Sequence, residues 1–421
     1  MNPTLIQAVG ALLFATAILH TFSTGIFARL ARKYPKHAGF WNLFTEAEFI
    51  FSFWAAILIL FIGFSSQSAR VAIEYLNDRN FTEPLFVFVI MVVAASRPVL
   101  QFSSLIVRQI SRILPLSRPV AVYVTILAIV PLLASFITEP AAMTLAALML
   151  RELYYSKKIS SRLMYATIGV LFVNVSIGGT LTNFAAPPVL MVAHEWGWDS
   201  WFMLSTIGWR SALAVFVNAI VVTVLFRKEL GKVALSSQQE QAAVPGKVIA
   251  LHVFLLFLIV LFAHDARIFI SVLLIFLALA HAYPHFQDRL ILREGLMVGC
   301  FLGGLVTLGG QQEWWLRPLF AHMNATSIYY GATALTAVTD NAALTYLGTL
   351  VPDLTDDFKY ALVSGAVTGG GLTVIANAPN PAGMSILHGD FKDGVVKPLG
   401  LLIAATPPTI MAILAFRLFP L

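Results

Sequence analysis

Long apolar runs, separated by short polar segments, recur along the whole chain. Stretches such as Leu5 to Phe27, Phe49 to Phe64 with its flanks, and Val248 to Ala263 are almost free of charge. Runs of about 18 or more such residues cross the roughly 30 Å hydrocarbon layer of a bilayer as single helices. The pattern predicts twelve membrane elements, six in each half of the chain. The first half holds helices near 4–28, 46–64 and 84–107, a helical hairpin near 119–156, a broken helix near 163–194 and a helix near 202–226. The second holds helices near 247–263, 267–283 and 293–310, a hairpin near 325–350, a broken helix near 358–390 and a helix near 396–417.

Two elements in each half depart from a plain span. Thr138-Glu139-Pro140-Ala141-Ala142 and Thr339-Asp340-Asn341-Ala342-Ala343 lie 201 residues apart, and each puts a carboxylate inside an apolar stretch. An acid at bilayer depth costs about 2.5–3.5 kcal/mol on insertion scales, so a retained pair reads as an ion or proton site. The competing reading is capping, because Thr and Asp start helices well and Pro suits a first turn. Downstream, Gly178-Gly179-Thr180-Leu181-Thr182 matches Gly369-Gly370-Gly371-Leu372-Thr373 at an offset of 191, and both tracts run into Asn- and Pro-rich ends, Asn183 to Pro188 and Asn377 to Pro381. Glycine and proline interrupt a helix there. Irregular backbone at membrane depth survives only where protein buries it or where it lines a watery cavity. The freed carbonyls, with Thr182, Asn183, Thr373 and Asn377, are hard oxygen ligands suited to Na+ or Li+. A weaker match lays Glu83 to Gln101 on Glu294 to Gln312.

Composition and charge sharpen this picture. Of 421 residues, 58% are hydrophobic and only 11% charged, far from the roughly 25% charged residues of a soluble domain. The expected class is an all-α polytopic membrane protein. Of the 27 Lys and Arg, 19 fall in segments 29–36, 108–118, 151–162, 227–247, 289–293 and 392–397. Basic residues concentrate in cytoplasmic loops, and these six segments share one side only if both motif regions are re-entrant hairpins. That map places both termini outside and inverts the halves: a first repeat over 1–230, a cytoplasmic linker over 231–246 and a second repeat over 247–421. Inverted repeats around interrupted helices are a transporter architecture. The formal charge of +6 is scattered among loops and does not form a nucleic-acid surface. No basic residue precedes the first apolar run, so a cleaved secretory signal is not expected. Cys300, the one cysteine, admits no internal disulfide or cysteine cluster.

Other polar residues are weaker candidates. Arg97, in Ser96-Arg97-Pro98, is a possible charge partner for an acid or an anion, or a residue that braces the bundle. Glu46 and Glu48 stand where an access path would open, or simply face water. His194-Glu195 and His264-Asp265 map to the outside, where protons would reach them. No HExxH, GxSxG or Walker pattern supports an enzyme.

These motifs resemble the ion-transporter superfamily of arsenite pumps, sodium/proton antiporters and citrate or dicarboxylate carriers, and among them most resemble bacterial sodium/proton antiporters. The carrying residues are Thr138-Glu139-Pro140, Thr339-Asp340-Asn341 and the two Gly-Gly-x-Leu-Thr tracts. The resemblance implies two inverted repeats, each with a re-entrant hairpin and a broken helix, a homodimer, and a bacterial inner-membrane location. The dicarboxylate branch has hairpin tips resembling Ser-Asn-Thr, without acids, and this chain departs from it at both tips. Extra negative charge there repels a dicarboxylate. The expected activity is therefore exchange of protons for Na+ or Li+, with coupled transport of a small anion as the alternative and no cofactor. Its expected site comprises Glu139, Asp340, Thr138, Thr339, Asn341, Thr182, Asn183, Thr373 and Asn377, shaped by Gly178, Gly179, Gly369, Gly370 and Gly371.

Overall fold

The computed structural model describes residues 3–157, 159–235, 244–391 and 394–419, except for the side chains of Phe22, Thr24, Ala47 and Glu48. Among them every regular element is helical. The first half comprises α1 (Leu5–Phe22), α2 (Thr24–Lys33), α3 (Ala38–Leu43), α4 (Ala47–Ser65), α5 (Ala69–Asn77), α6 (Thr82–Ala94), α7 (Arg97–Ile113), α8 (Arg118–Ile137), α9 (Glu139–Leu153), α10 (Ser161–Gly178), α11 (Pro187–Ala193), α12 (Ser200–Phe202), α13 (Trp209–Leu225) and α14 (Arg227–Leu230). The second comprises α15 (Gly246–Leu261), α16 (Ala266–Ala282), α17 (Leu292–Gly309), α18 (Glu313–Ala321), α19 (Ala325–Thr336), α20 (Asn341–Thr349), α21 (Asp356–Gly369), α22 (Asn380–Leu387) and α23 (Pro398–Arg417). Among the described residues five helices are long and apolar enough to span a bilayer alone, and up to seven spans result if each of two bent pairs counts as one. The protein is an all-α polytopic membrane protein. The linker expected over 231–246 lies in part, at 236–243, outside the described residues.

Two expected straight spans are bent. The span near 84–107 breaks by 68° between α6 and α7, where Pro98 lacks the N–H that a continuing helix would donate to the Ala94 carbonyl. The first span turns by 67° between α1 and α2. There the Thr21 and Ser23 hydroxyls donate to the carbonyls of Ile18 and His20, side-chain bonds that compete with the helical ladder. The apolar lettering runs through both breaks, which is why hydropathy alone reads each as one helix. Beyond α12 a π-helical turn, Met203–Gly208, leads into α13.

The halves interlock. Helix α17 packs along α4 and α6, and α10 lies against α23. Glycines permit the closest crossings: a Cβ on Gly169 would meet the Ala404 backbone at 2.6 Å, and one on Gly304 the Phe51 backbone at the same distance. Small residues are the usual means of bringing helix backbones together in a bilayer. A buried amide pair ties the centre. Asn174 donates to the carbonyls of Leu127 and Val215, and Asn218 donates to the Asn174 amide oxygen and the Pro408 carbonyl, so α8, α10, α13 and α23 share one network. Each of these polar groups would otherwise be costly away from water.

Candidate functional site

The helix pairs α8–α9 and α19–α20 pack against the chain breaks that follow α10 and α21. Arms α8 and α9 pack together and are joined by a single non-helical residue, Thr138, while α19 and α20 are joined by Ala337–Asp340. Helices α10 and α21 each end at the glycine tract; α10 leads through a 3₁₀ turn, Gly179–Leu181, and irregular backbone into the short helix α11, and α21 leads through irregular backbone into the short helix α22. The distal pieces cross over: α11 packs on α20 of the second hairpin, and α22 packs on α9 of the first.

Matching contacts hold each hairpin against its break. A Cβ on Gly178 would lie 2.4 Å from the Pro131 carbonyl oxygen, and one on Gly369 would lie 2.3 Å from that of Thr333. Both positions admit only hydrogen. Thr182 donates to the Ser135 carbonyl at 2.6 Å, and Thr373 donates to that of Ala337 at 2.8 Å. Thr138 is the residue before α9 and Asp340 the residue before α20. In all three comparisons the hairpin residues differ by 202 positions, one more than the motif spacing. The structural counterpart of Glu139 is thus Asn341, and that of Asp340 is Thr138. Aligning the motifs by their acids misses this register, because backbone capping, not residue similarity, sets where each returning helix starts.

The tips then look unlike. Thr138 has φ +73° and ψ 152°, a conformation that costs a residue with a Cβ about 1–3 kcal/mol. Its buried hydroxyl has no hydrogen-bond partner among the described residues. Glu139 follows, fully buried. Its Oε2 accepts a 2.8 Å hydrogen bond from the Asn377 amide, whereas Oε1 has no such partner among the described residues. Gly179 makes room for it, since a Cβ there would sit 2.8 Å from both Cγ and Oε1 of Glu139. At the other tip Asp340 has unstrained extended backbone and caps α20, one oxygen accepting from the N–H groups of Ala342 and Ala343 at 2.8 and 3.2 Å. Asp340 is half-buried.

Asn341 is 1% exposed, and neither atom of its amide has a partner among the described residues. Its nitrogen lies 2.9 Å from where a Gly370 Cβ would stand, and the Ser176 hydroxyl is closer still. The tract's third glycine, Gly371, abuts the Val173 backbone. Asn380, one turn beyond Asn377, is buried and donates to the carbonyls of Gly370 and Thr373 at 2.7 and 2.9 Å, leaving its oxygen without a partner among the described residues. The amide oxygens of Asn377 and Asn380, the Glu139 carboxylate and the Asn341 amide therefore gather around the two breaks. These oxygen donors suit a small hard cation.

Not every expected residue joins them. Thr182 and Thr373 point their hydrogens at backbone and act as pins. Asn183 donates to the Trp198 carbonyl and accepts from Ser200, so it fastens the segment before α12. Thr339 donates to the Leu335 carbonyl. Arg97 faces Asp288 at 3.8 Å, in the segment before α17. Glu46 pairs with Arg293, and the Glu48 side chain lies outside the described residues. Beyond the residues the sequence predicts, the site includes Asn380, Ser176 and Thr336, whose buried hydroxyl has no hydrogen-bond partner among the described residues and whose Cβ lies 2.8 Å from where a Gly369 Cβ would stand. Asn380 had a readable signal, an asparagine three residues after Asn377 and directly before Pro381. Ser176 and Thr336 had none.

At the far ends of α11 and α20 lies a cavity of about 200 Å³ lined by Asp78, Arg79, Glu83, His194, Glu195 and Thr349, among others. The His194 ring lies 5.4 Å from that of His264. Partial desolvation, and then the neighbouring His194, lower the pKa of His264. Residues 5–419 match the model of a family described as "Putative Na+/H+ antiporter". Comparison with curated proteins finds no match.

Proposed function

The chain belongs to the Na+/H+ antiporter family, and on that premise we propose that it exchanges protons for Na+ or Li+ through Glu139, the carboxyl for which both compete. One observation carries the assignment: Glu139 is wholly buried where both helix breaks converge, with one oxygen held by Asn377 and the other without a partner among the described residues. A carboxylate removed from water has to be neutralised, and a proton or a cation does so equally well. Occupancy by one excludes the other, and that exclusion is the minimum requirement for antiport. Asn341, Asn377 and Asn380 supply neutral oxygens, Asp340 a fixed negative charge that draws cations to the centre, and the strained turn at Thr138 sets where Glu139 stands.

In this reading the halves are inverted repeats that expose the site to each side in turn; the repeat is supported by the contact of Gly178 with Pro131, which matches that of Gly369 with Thr333, and by the bond of Thr182 to Ser135, which matches that of Thr373 to Ala337. The anion-transport alternative places the anion at Arg97, which faces Asp288 at 3.8 Å, or at the N-terminal ends of the broken helices.

The test is transport in proteoliposomes with an acidic lumen and an internal pH dye. External Na+ or Li+ is expected to alkalinise the lumen of vesicles containing wild-type protein and not of protein-free vesicles. A response to anions alone, with none to any alkali cation, would refute the proposal.

A further inference from the structure

The bend between α1 and α2 serves nothing in the transport site, yet it is firmly built. Downstream of the 67° turn, Arg29, Arg32 and Lys33 occupy positions i, i+3 and i+4 of α2, one face of a helix, and Lys36 follows in the next 3₁₀ turn, Pro35–His37. All four are exposed. The opposite face carries Phe27, which lies 4.5 Å from the His20 ring and 5.5 Å from that of Phe44. Trp54 of α4 donates to the same His20 at 3.2 Å. This aromatic cluster folds α2 and α3 back against the ends of α1 and α4, and so fixes where the basic face points.

No acid occurs before Glu46 in the chain, and Glu46 is taken by Arg293. Among the described residues no ion pair involves Arg29, Arg32, Lys33 or Lys36. Beside them Ile26, Tyr34 and Phe40 are 50%, 45% and 55% exposed. A basic face flanked by exposed apolar and aromatic side chains, on a helix that continues directly from an apolar span, fits the plane of a lipid headgroup layer.

We propose that the α2–α3 elbow is a binding surface for anionic phospholipid headgroups. The phosphates pair with these four cations, which have no ion-pair partner among the described residues, while Ile26, Tyr34 and Phe40 enter the acyl boundary. Each basic residue near an anionic surface contributes about fivefold in affinity, so loss of all four should abolish the preference. Nothing in the proposal depends on which ions the protein carries.

The experiment titrates purified full-length protein in neutral detergent with phosphatidylglycerol or phosphatidylcholine and follows thermal unfolding. Wild type and a variant combining Arg29→Gln, Arg32→Gln, Lys33→Gln and Lys36→Gln are compared, with Arg108→Gln/Arg112→Gln on α7 as the control for basic charge elsewhere. Phosphatidylglycerol is expected to raise the wild-type midpoint more than phosphatidylcholine does. That difference should vanish in the elbow variant and in high salt, and persist in the control. Equal responses to the two lipids, or equal losses in the elbow variant and the control, would overturn the assignment. Should the quadruple variant misfold, Arg29→Lys/Arg32→Lys, which keeps the charge, should retain the wild-type preference, and single Gln variants should lower it stepwise; flat behaviour across the singles would equally overturn it.

Discussion

The two hairpin tips carry similar letters and differ in nearly every physical respect. At the first, a strained threonine with no side-chain cap bond precedes a buried glutamate with one oxygen unpartnered among the described residues. At the second, an unstrained aspartate spends its carboxylate on the helix it starts, and a buried asparagine stands where the glutamate would be. The difference teaches that an acid inside an apolar run has two separate uses. As an N-cap it is a structural anion satisfied by backbone N–H groups. One residue later it faces the interior, where in the proposed exchange a proton or a cation meets its charge.

The largest expected effect is at Glu139. Glu139→Gln keeps the size and the bond from Asn377 but cannot release a proton, and exchange should fall by at least about 100-fold, the scale on which positioned proton-transfer groups matter. Next comes Asn377→Ala. Removing a hydrogen bond to a charged group costs roughly 1.5–3 kcal/mol, and cation affinity should drop by about 10- to 100-fold, read as a raised half-saturation concentration for Na+. A smaller change is expected at Asp340. Asn caps helices about as well as Asp, so Asp340→Asn should keep its fold and retain exchange, with weakened attraction for cations. Asp340→Ala should lose about 1 kcal/mol of stability with the cap, measurable as earlier thermal unfolding.

The smallest effect sharpens the comparison between the buried centre and the water-facing rim. His264 has a folded pKa below its unfolded value, so the folded protein binds fewer protons there. Above the unfolded pKa the group contributes nothing, and as the pH falls below it stability is progressively lost. His264→Gln should therefore lose less thermal stability than wild type between pH 7 and pH 5. A steeper loss in the variant would contradict the sign.

Much of the fold is legible in the residues because bilayer depth forbids ambiguity. The Gly-Gly tracts at 178 and 369 mark the breaks, and Thr138-Glu139-Pro140 marks a turn, since no apolar span tolerates those residues without cause. The bends at 22–24 and 95–96 are less legible, because apolar composition continues through them, although Ser96-Arg97-Pro98 carries the signal for one. Within the site, Glu139, Asn341 and Asn377 could be named from sequence because buried polar groups at breaks are rarely accidental. Their register could not. Ala141-Ala142 and Ala342-Ala343 align the acids at 201 residues, whereas the caps and the glycine contacts align the backbones at 202. The different surroundings of Glu139 and Asp340 follow from that one-residue difference, and only three-dimensional contacts reveal it.

The account stands most directly on the initial rate of Na+-driven proton exchange in Glu139→Gln and Asp340→Asn, measured side by side in proteoliposomes with matched amounts of folded protein. It predicts no exchange above protein-free vesicles for the first and readily measurable exchange for the second. Retained exchange in Glu139→Gln together with its loss in Asp340→Asn would contradict the account and move the competing carboxyl to the second tip.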